Sequence, residues 1–229
     1  ENLNAYKPNE WLYVPDPNNR GELRARVQQN SIRLTWQASP RNKIAGTYKF
    51  DRWCQCPNGV SATRSPETAV DFRFPRLSQE HLEWTSPVTN RLLLEAVGMH
   101  LFERWGNMHP NQGTGSTDDP ALAVIAPRMI SVEEQTTGLR YRMFTNYNNT
   151  LVPNFAYRAA VAYVTGTHNF KAGFNNAWGH NENTAYTTNP FAYTFVNTVP
   201  SSITEWATPY LTQTDVDADF GMYAQDKWT

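Results

Sequence analysis

The sequence predicts an all-β chain, an antiparallel up-and-down meander whose longest strands have the length needed to cross a bilayer. Three observations carry this. First, Asn154–Trp178 alternates with period two: Tyr157, Ala159, Val161 and Tyr163 fall on one parity, Arg158, Ala160, Ala162 and Val164 on the other. Past Gly166-Thr167-His168-Asn169 the pattern resumes, with Phe170, Ala172 and Phe174 against Lys171, Gly173 and Asn175. Two such arms around a short Gly/Asn-bearing connection form a hairpin. Each arm runs about 10–12 residues, longer than the usual soluble strand and about what a tilted transmembrane strand needs. Second, the chain is rich in aromatic residues, with 8 Trp, 11 Tyr and 11 Phe in 229 residues, as suits either a β protein or a barrel with aromatic girdles. Third, short and long connections alternate, which in a meander puts every tight turn at one end and every long loop at the other. Outer-membrane barrels have this asymmetry, and a Greek-key sandwich has no reason for it.

Taken in order, residues 1–30 form a loop-rich opening segment, punctuated by Pro8, Pro15, Pro17, Asn18, Asn19 and Gly21. The first firm strand is Ser31–Ala38, with Ile32, Leu34, Trp36 and Ala38 on one face and Arg33, Thr35 and Gln37 on the other. Ser39-Pro40-Arg41-Asn42 is a turn. Lys43–Gln55 returns, with Ile44, Gly46, Tyr48 and Phe50 set against Lys43, Thr47, Lys49 and Asp51. A Ser/Thr/Pro-rich connection spans residues 57–75. Leu77–Pro87 and Arg91–Trp105 then pair around Val88-Thr89-Asn90. The second of these carries helix-favouring Leu, Glu and Ala, but its place after a hairpin turn makes it a strand. Gly106–Pro153 is the longest connection, with extended pieces near Arg128–Glu134 and Gly138–Phe144. After the central hairpin come the loop Gly179–Pro190, the strands Ala192–Asn197 and Ser202–Thr208 around Thr198-Val199-Pro200-Ser201, the loop Pro209–Asp215 and a last strand, Asp217–Trp228. About nine strands result. Residues 31–229 then form one partial β-barrel domain, expected to be incomplete at both ends because the strand pattern still runs at Lys227-Trp228-Thr229. A piece of this kind is expected to be an open, curved sheet whose first and last strands do not pair, with one apolar face, one polar face and little packed core.

The net charge of -1 implies no broad attraction to nucleic acid. No run of about 18 apolar residues exists, so no transmembrane helix is expected. Mean hydropathy is -0.62, which does not argue against a barrel, since lumen and loops dilute the average. Glu1-Asn2-Leu3-Asn4 shows no signal-peptide pattern. Cys54 and Cys56 would share a strand face, and a bridge between them would need a local distortion. They are expected to be structural or loop-lip residues, with a strained bridge as the next alternative, and to bind no metal.

Catalytic and metal motifs are not evident. His81, His100, His109, His168 and His180 have no metalloprotease spacing. His168 is a turn residue. Glu80 and Glu83 fall on opposite strand faces. Asp118-Asp119 and the run Asp215, Asp217, Asp219 lack the loop of a calcium site and are read as solvated charge. Asn148-Asn149-Thr150 fits a glycosylation sequon without further support. The chain is therefore expected not to be an enzyme, with no cofactor.

Several stretches also resemble a known family. They are Leu34-Thr35-Trp36-Gln37-Ala38-Ser39-Pro40-Arg41-Asn42-Lys43, Trp84-Thr85-Ser86-Pro87, Tyr163 to Phe174, Val199-Pro200-Ser201-Ser202-Ile203 and Tyr223-Ala224-Gln225-Asp226-Lys227-Trp228. Together they are similar to TonB-dependent outer-membrane receptors, nearest the Oar-like, carboxypeptidase-regulatory-domain branch. The resemblance implies a middle part of a large, 22-stranded transmembrane barrel in the outer membrane of a Gram-negative bacterium. It implies substrate capture by outer loops and uptake through the lumen. The implied partners are outer-membrane lipid, a small, peptide or carbohydrate substrate, and the TonB energy-coupling complex acting through a plug not recognisable in this chain. The rival reading is a soluble secreted all-β sandwich that binds a ligand or carbohydrate through exposed Trp and Tyr.

Overall fold

The structure, a computed structural model, describes residues 2–4, 10–108 and 129–228. Its strands are β1 (Asn2–Asn4), β2 (Pro15–Arg20), β3 (Ala25–Ser39), β4 (Asn42–Asn58), β5 (Val70–Pro87), β6 (Leu92–Met108), β7 (Ser131–Glu134), β8 (Leu139–Tyr141), β9 (Tyr147–Thr165), β10 (His168–Tyr186), β11 (Phe191–Val196), β12 (Val199–Glu205) and β13 (Tyr210–Trp228). One turn of 3-10 helix, Pro66–Thr68, is the only helix among the described residues.

Seven strands make one antiparallel sheet in the order β13-β10-β9-β6-β5-β4-β3. Its edges are β3 and β13, which do not pair with each other, so the sheet is open, as the sequence predicts. Ser31–Ala38 pairs with Lys43–Gln55 inside the β3–β4 ladder. The Arg91–Trp105 segment is strand, bonded to β5 and β9 on its two sides. Ladder partners on both flanks outweigh a local helix preference of a few tenths of a kcal/mol per residue.

Four expectations are corrected. Strand pairing is not sequential throughout: β13 pairs directly with β10, while β11 and β12 leave the wall. They join β7 and β8 in a second sheet, ordered β12-β11-β7-β8, with β11 parallel to β7. The Thr198–Ser201 turn therefore lies within a long connection, and three short turns remain at the opposite end of the wall. Next, the strands overrun their expected bounds at the long-loop end. β3 begins at Ala25, inside the opening segment, β9 begins at Tyr147, β10 continues to Tyr186, and β13 begins at Tyr210. At these ends polar residues occupy both parities, as in Gln28–Asn30, Asn148–Thr150 and Glu182–Thr184, so alternation stops signalling strand while backbone pairing continues. Third, Cys54 and Cys56 form a disulfide, with Cα atoms 5.4 Å apart. The β4–β5 register breaks between Gln55 and Asn58, which supplies the local distortion such a bridge needs. Fourth, the long-loop end holds two small cores. Val70, Met129, Met143 and Tyr147 form one; Val132, Tyr141 and Phe195 form the other. Asp118-Asp119, His109 and Arg128 lie outside the described residues.

Candidate functional site

The faces of the wall follow from register. Cross-strand partners align Ile32 with Tyr48, Leu34 with Gly46, Leu82 with Gly98, Gly98 with Tyr157 and Phe174 with Met222. These rows belong to one face, and that face is uncovered: Leu34 is 68% and Met222 78% exposed. Tyr163, Phe170 and Trp228 mark it near the short turns. Phe155, stacked on Trp178 at 5.3 Å, marks it eight residues further along β9. Eight residues span about 27 Å along a strand, or about 20 Å of height at a tilt of about 40°, near the apolar band of an outer-membrane barrel, about 25 Å tall.

The opposite face is charged and cross-linked. Arg33 donates to Glu83 (3.0 Å) and to the Thr47 hydroxyl (3.3 Å), and His81 lies 3.5 Å from Glu83. Lys171 donates to Glu95 at 2.9 Å. Glu83, Thr85, Glu95, Arg158, Lys171 and Tyr223 line a cleft of about 250 Å³ on this side. Gly173 is what lets Tyr223 lie there. The two are cross-strand partners, and a Cβ at Gly173 would come 2.8 Å from the Tyr223 hydroxyl and 2.6 Å from the Ala159 carbonyl. Glu80 and Glu83 are separated as the sequence predicts: Glu80 is on the apolar face, 2.7 Å from His100, and Glu83 is on the polar one. His168 opens β10, with its ring stacked on Phe170 and Trp228 and Nδ1 2.6 Å from Asp226.

A second cleft, about 510 Å³, lies at the long-loop end and is lined by Trp11, Leu12, Tyr193, Phe195, Thr198 and Pro200. Trp11 meets Tyr193 edge-on at 5.2 Å and carries the Arg142 guanidinium 4.4 Å above its ring. Arg142, almost wholly buried, has φ of 76°, costly for a side chain of its size. Bonds to Ile130 O and Glu10 O, and from its own N–H to Glu67, hold it there. Tyr141 donates to Trp11 O at 2.8 Å, and burial pushes its hydroxyl up to about 12. The β11–β12 turn places Asn197 and Thr198 at positive φ, the pattern of a tight hairpin turn. The Glu134 carboxylate accepts both their backbone N–H groups, from Asn197 at 3.1 Å and Thr198 at 2.9 Å. The Thr198 bond is the largest cause holding Glu134 below its ordinary value. Sequence reasoning missed this cleft because its walls come from residues about 180 positions apart. Asn197-Thr198 was its nearest signal, since Asn tolerates the left-handed region.

No family model matches the chain, and no curated protein matches it. Among solved structures it is similar to the outer membrane transporter YddB from Escherichia coli, with a TM-score of 0.57 and 12% identity over 89% of this chain. The chain spans about a quarter (25%) of that transporter's length. At this identity the likeness concerns the fold. The seven-stranded sheet has the form of part of an outer-membrane transporter barrel.

Proposed function

We propose that this chain is part of the barrel of an outer-membrane TonB-dependent receptor of the Oar-like kind. The observation that carries the reading is the two-faced seven-stranded wall, with tight turns at one end and a loop-built second sheet at the other. Residues 31–229 belong to the barrel domain, and residues 1–30 form an opening segment whose end already pairs into the wall. The apolar face meets outer-membrane lipid and the charged face lines the lumen of a 22-stranded barrel. The long-loop layer captures a small, peptide or carbohydrate substrate. The TonB complex, acting on a plug, then opens the lumen and drives uptake. The chain performs no catalysis in this reading.

A soluble sandwich would cover its apolar face with a second layer. Here the second sheet is built from the β6–β9 and β10–β13 connections, and Ile32, Leu34, Trp36 and Met222 stay exposed. The test is expression of the encoding reading frame in a Gram-negative host, followed by membrane fractionation and growth on candidate substrates with and without TonB. The reading expects a carbonate-resistant outer-membrane protein whose growth benefit disappears without TonB. Recovery in the soluble periplasmic fraction, or a benefit independent of TonB, would overturn it.

A further inference from the structure

The apolar face ends, on the long-loop side, in a row of arginines. Phe50, Ser78, Phe102 and Pro153 are aligned across β4, β5, β6 and β9. Two residues further along β4, β5 and β6, away from the short turns, stand Arg52, Arg76 and Arg104, on the same parity. Arg76 and Arg104 are direct cross-strand partners. Like charges directly opposite in a ladder are destabilising. Among the described residues no carboxylate pairs with any of the three, and all three are exposed. Arg104 donates to Asn149 Oδ1 at 2.9 Å. The other two lean back over the two phenylalanines of that row: the Arg76 guanidinium lies 4.2 Å from the Phe102 ring centre, and that of Arg52 5.3 Å from Phe50. Rings below and guanidinium groups above match the order of a bilayer surface, where aromatic side chains sit at headgroup level. The unused N–H groups form forks suited to phosphate, which Arg binds with two parallel hydrogen bonds.

We propose that Arg52, Arg76 and Arg104 form a site on the outer wall for the phosphate-bearing headgroup of a membrane lipid in the leaflet nearest the long loops. The proposal rests on the barrel reading above, because the site meets lipid only if the apolar face does. Bound phosphate offsets the Arg76–Arg104 repulsion and anchors the wall at a fixed depth.

The experiment uses the protein made from the complete encoding reading frame, in phosphatidylcholine bicelles, so that neighbouring barrel strands cover both edges of the wall. Its thermal unfolding is followed as diphosphorylated lipid A, dephosphorylated lipid A or inorganic phosphate is added. Wild type is expected to gain stability with the phosphorylated lipid alone. The double variant Arg76→Gln/Arg104→Gln should need about tenfold more lipid or higher for the same shift, the loss of one or more charge-assisted contacts. Lys replacements should retain part of the response, and Lys171→Gln on the opposite face should retain all of it. Three outcomes would overturn the site: an unchanged response in the Gln variant, an equal response to the dephosphorylated lipid, or an equal response to free phosphate. Failure of the barrel reading looks different, since the wild-type protein would then not enter bicelles at all.

Discussion

At the scale of single residues, two side chains set the local order. Glu134 fastens the Asn197-Thr198 turn by accepting its backbone N–H groups, which is why its carboxylate is held below the ordinary value. A depressed carboxylate pKa stabilises the fold above the ordinary value of 4.5, and that contribution disappears as pH falls through the lowered one. Protection of the Asn197 and Thr198 amides, measured against the intrinsic exchange rate at each pH, should therefore be high at neutral pH and be lost as pH falls below 4.5 through the lowered value, and Glu134→Ala should show low protection at both. Protection in wild type that is insensitive to acid would refute this role. Gly173 gives a packing prediction. Gly173→Ala places a Cβ against the Ala159 carbonyl and the Tyr223 ring, and should cost about 1–3 kcal/mol by overpacking. Gly98→Ala meets nothing within 4 Å and should be nearly neutral. Urea unfolding in micelles compares the two.

At the scale of elements, Ala159 lies four residues from Phe155 and four from Tyr163, midway between the two aromatic levels of β9. Ala159→Arg should cost about 2–4 kcal/mol, the price of a cation at mid-bilayer. Lys171→Met, on the polar face, should lose only the exposed Glu95 pair, about 0–1 kcal/mol. Equal effects in folding titrations into lipid would deny the two faces different surroundings. These same elements mark how far sequence reaches. The Tyr157–Tyr163 and Phe170–Phe174 arms were legible because apolar and polar residues alternate without interruption. The Ala25–Asn30 and Tyr147–Pro153 extensions were not, because beyond the apolar band neither face needs to be apolar. The β11–β12 hairpin was legible as a pair of strands, but its place in a separate sheet was not. That choice is made by long-range contacts of Phe195 with Val132 and Tyr141. The Cys54–Cys56 bridge depended on a register break that periodicity does not report.

At the scale of the whole molecule, an open sheet with one uncovered apolar face is stable only where something apolar covers that face. Both edges, β3 and β13, also carry unpaired backbone groups along 15 and 19 residues. A lipid surface and neighbouring barrel strands satisfy both needs together, and water satisfies neither. In the proposed reading, lipid lies on one side of this wall and water on the other. Because Cys54 and Cys56 are bridged, spin labels attached through single introduced cysteines can read it directly. Labels at each position from Tyr157 to Tyr163, in protein folded into bilayers, would be tested for collision with dissolved oxygen and with a water-soluble nickel chelate. The account predicts a two-residue period: oxygen maxima at 157, 159, 161 and 163, and chelate maxima at 158, 160 and 162. Chelate access at every position, or the same period in opposite phase, would contradict it.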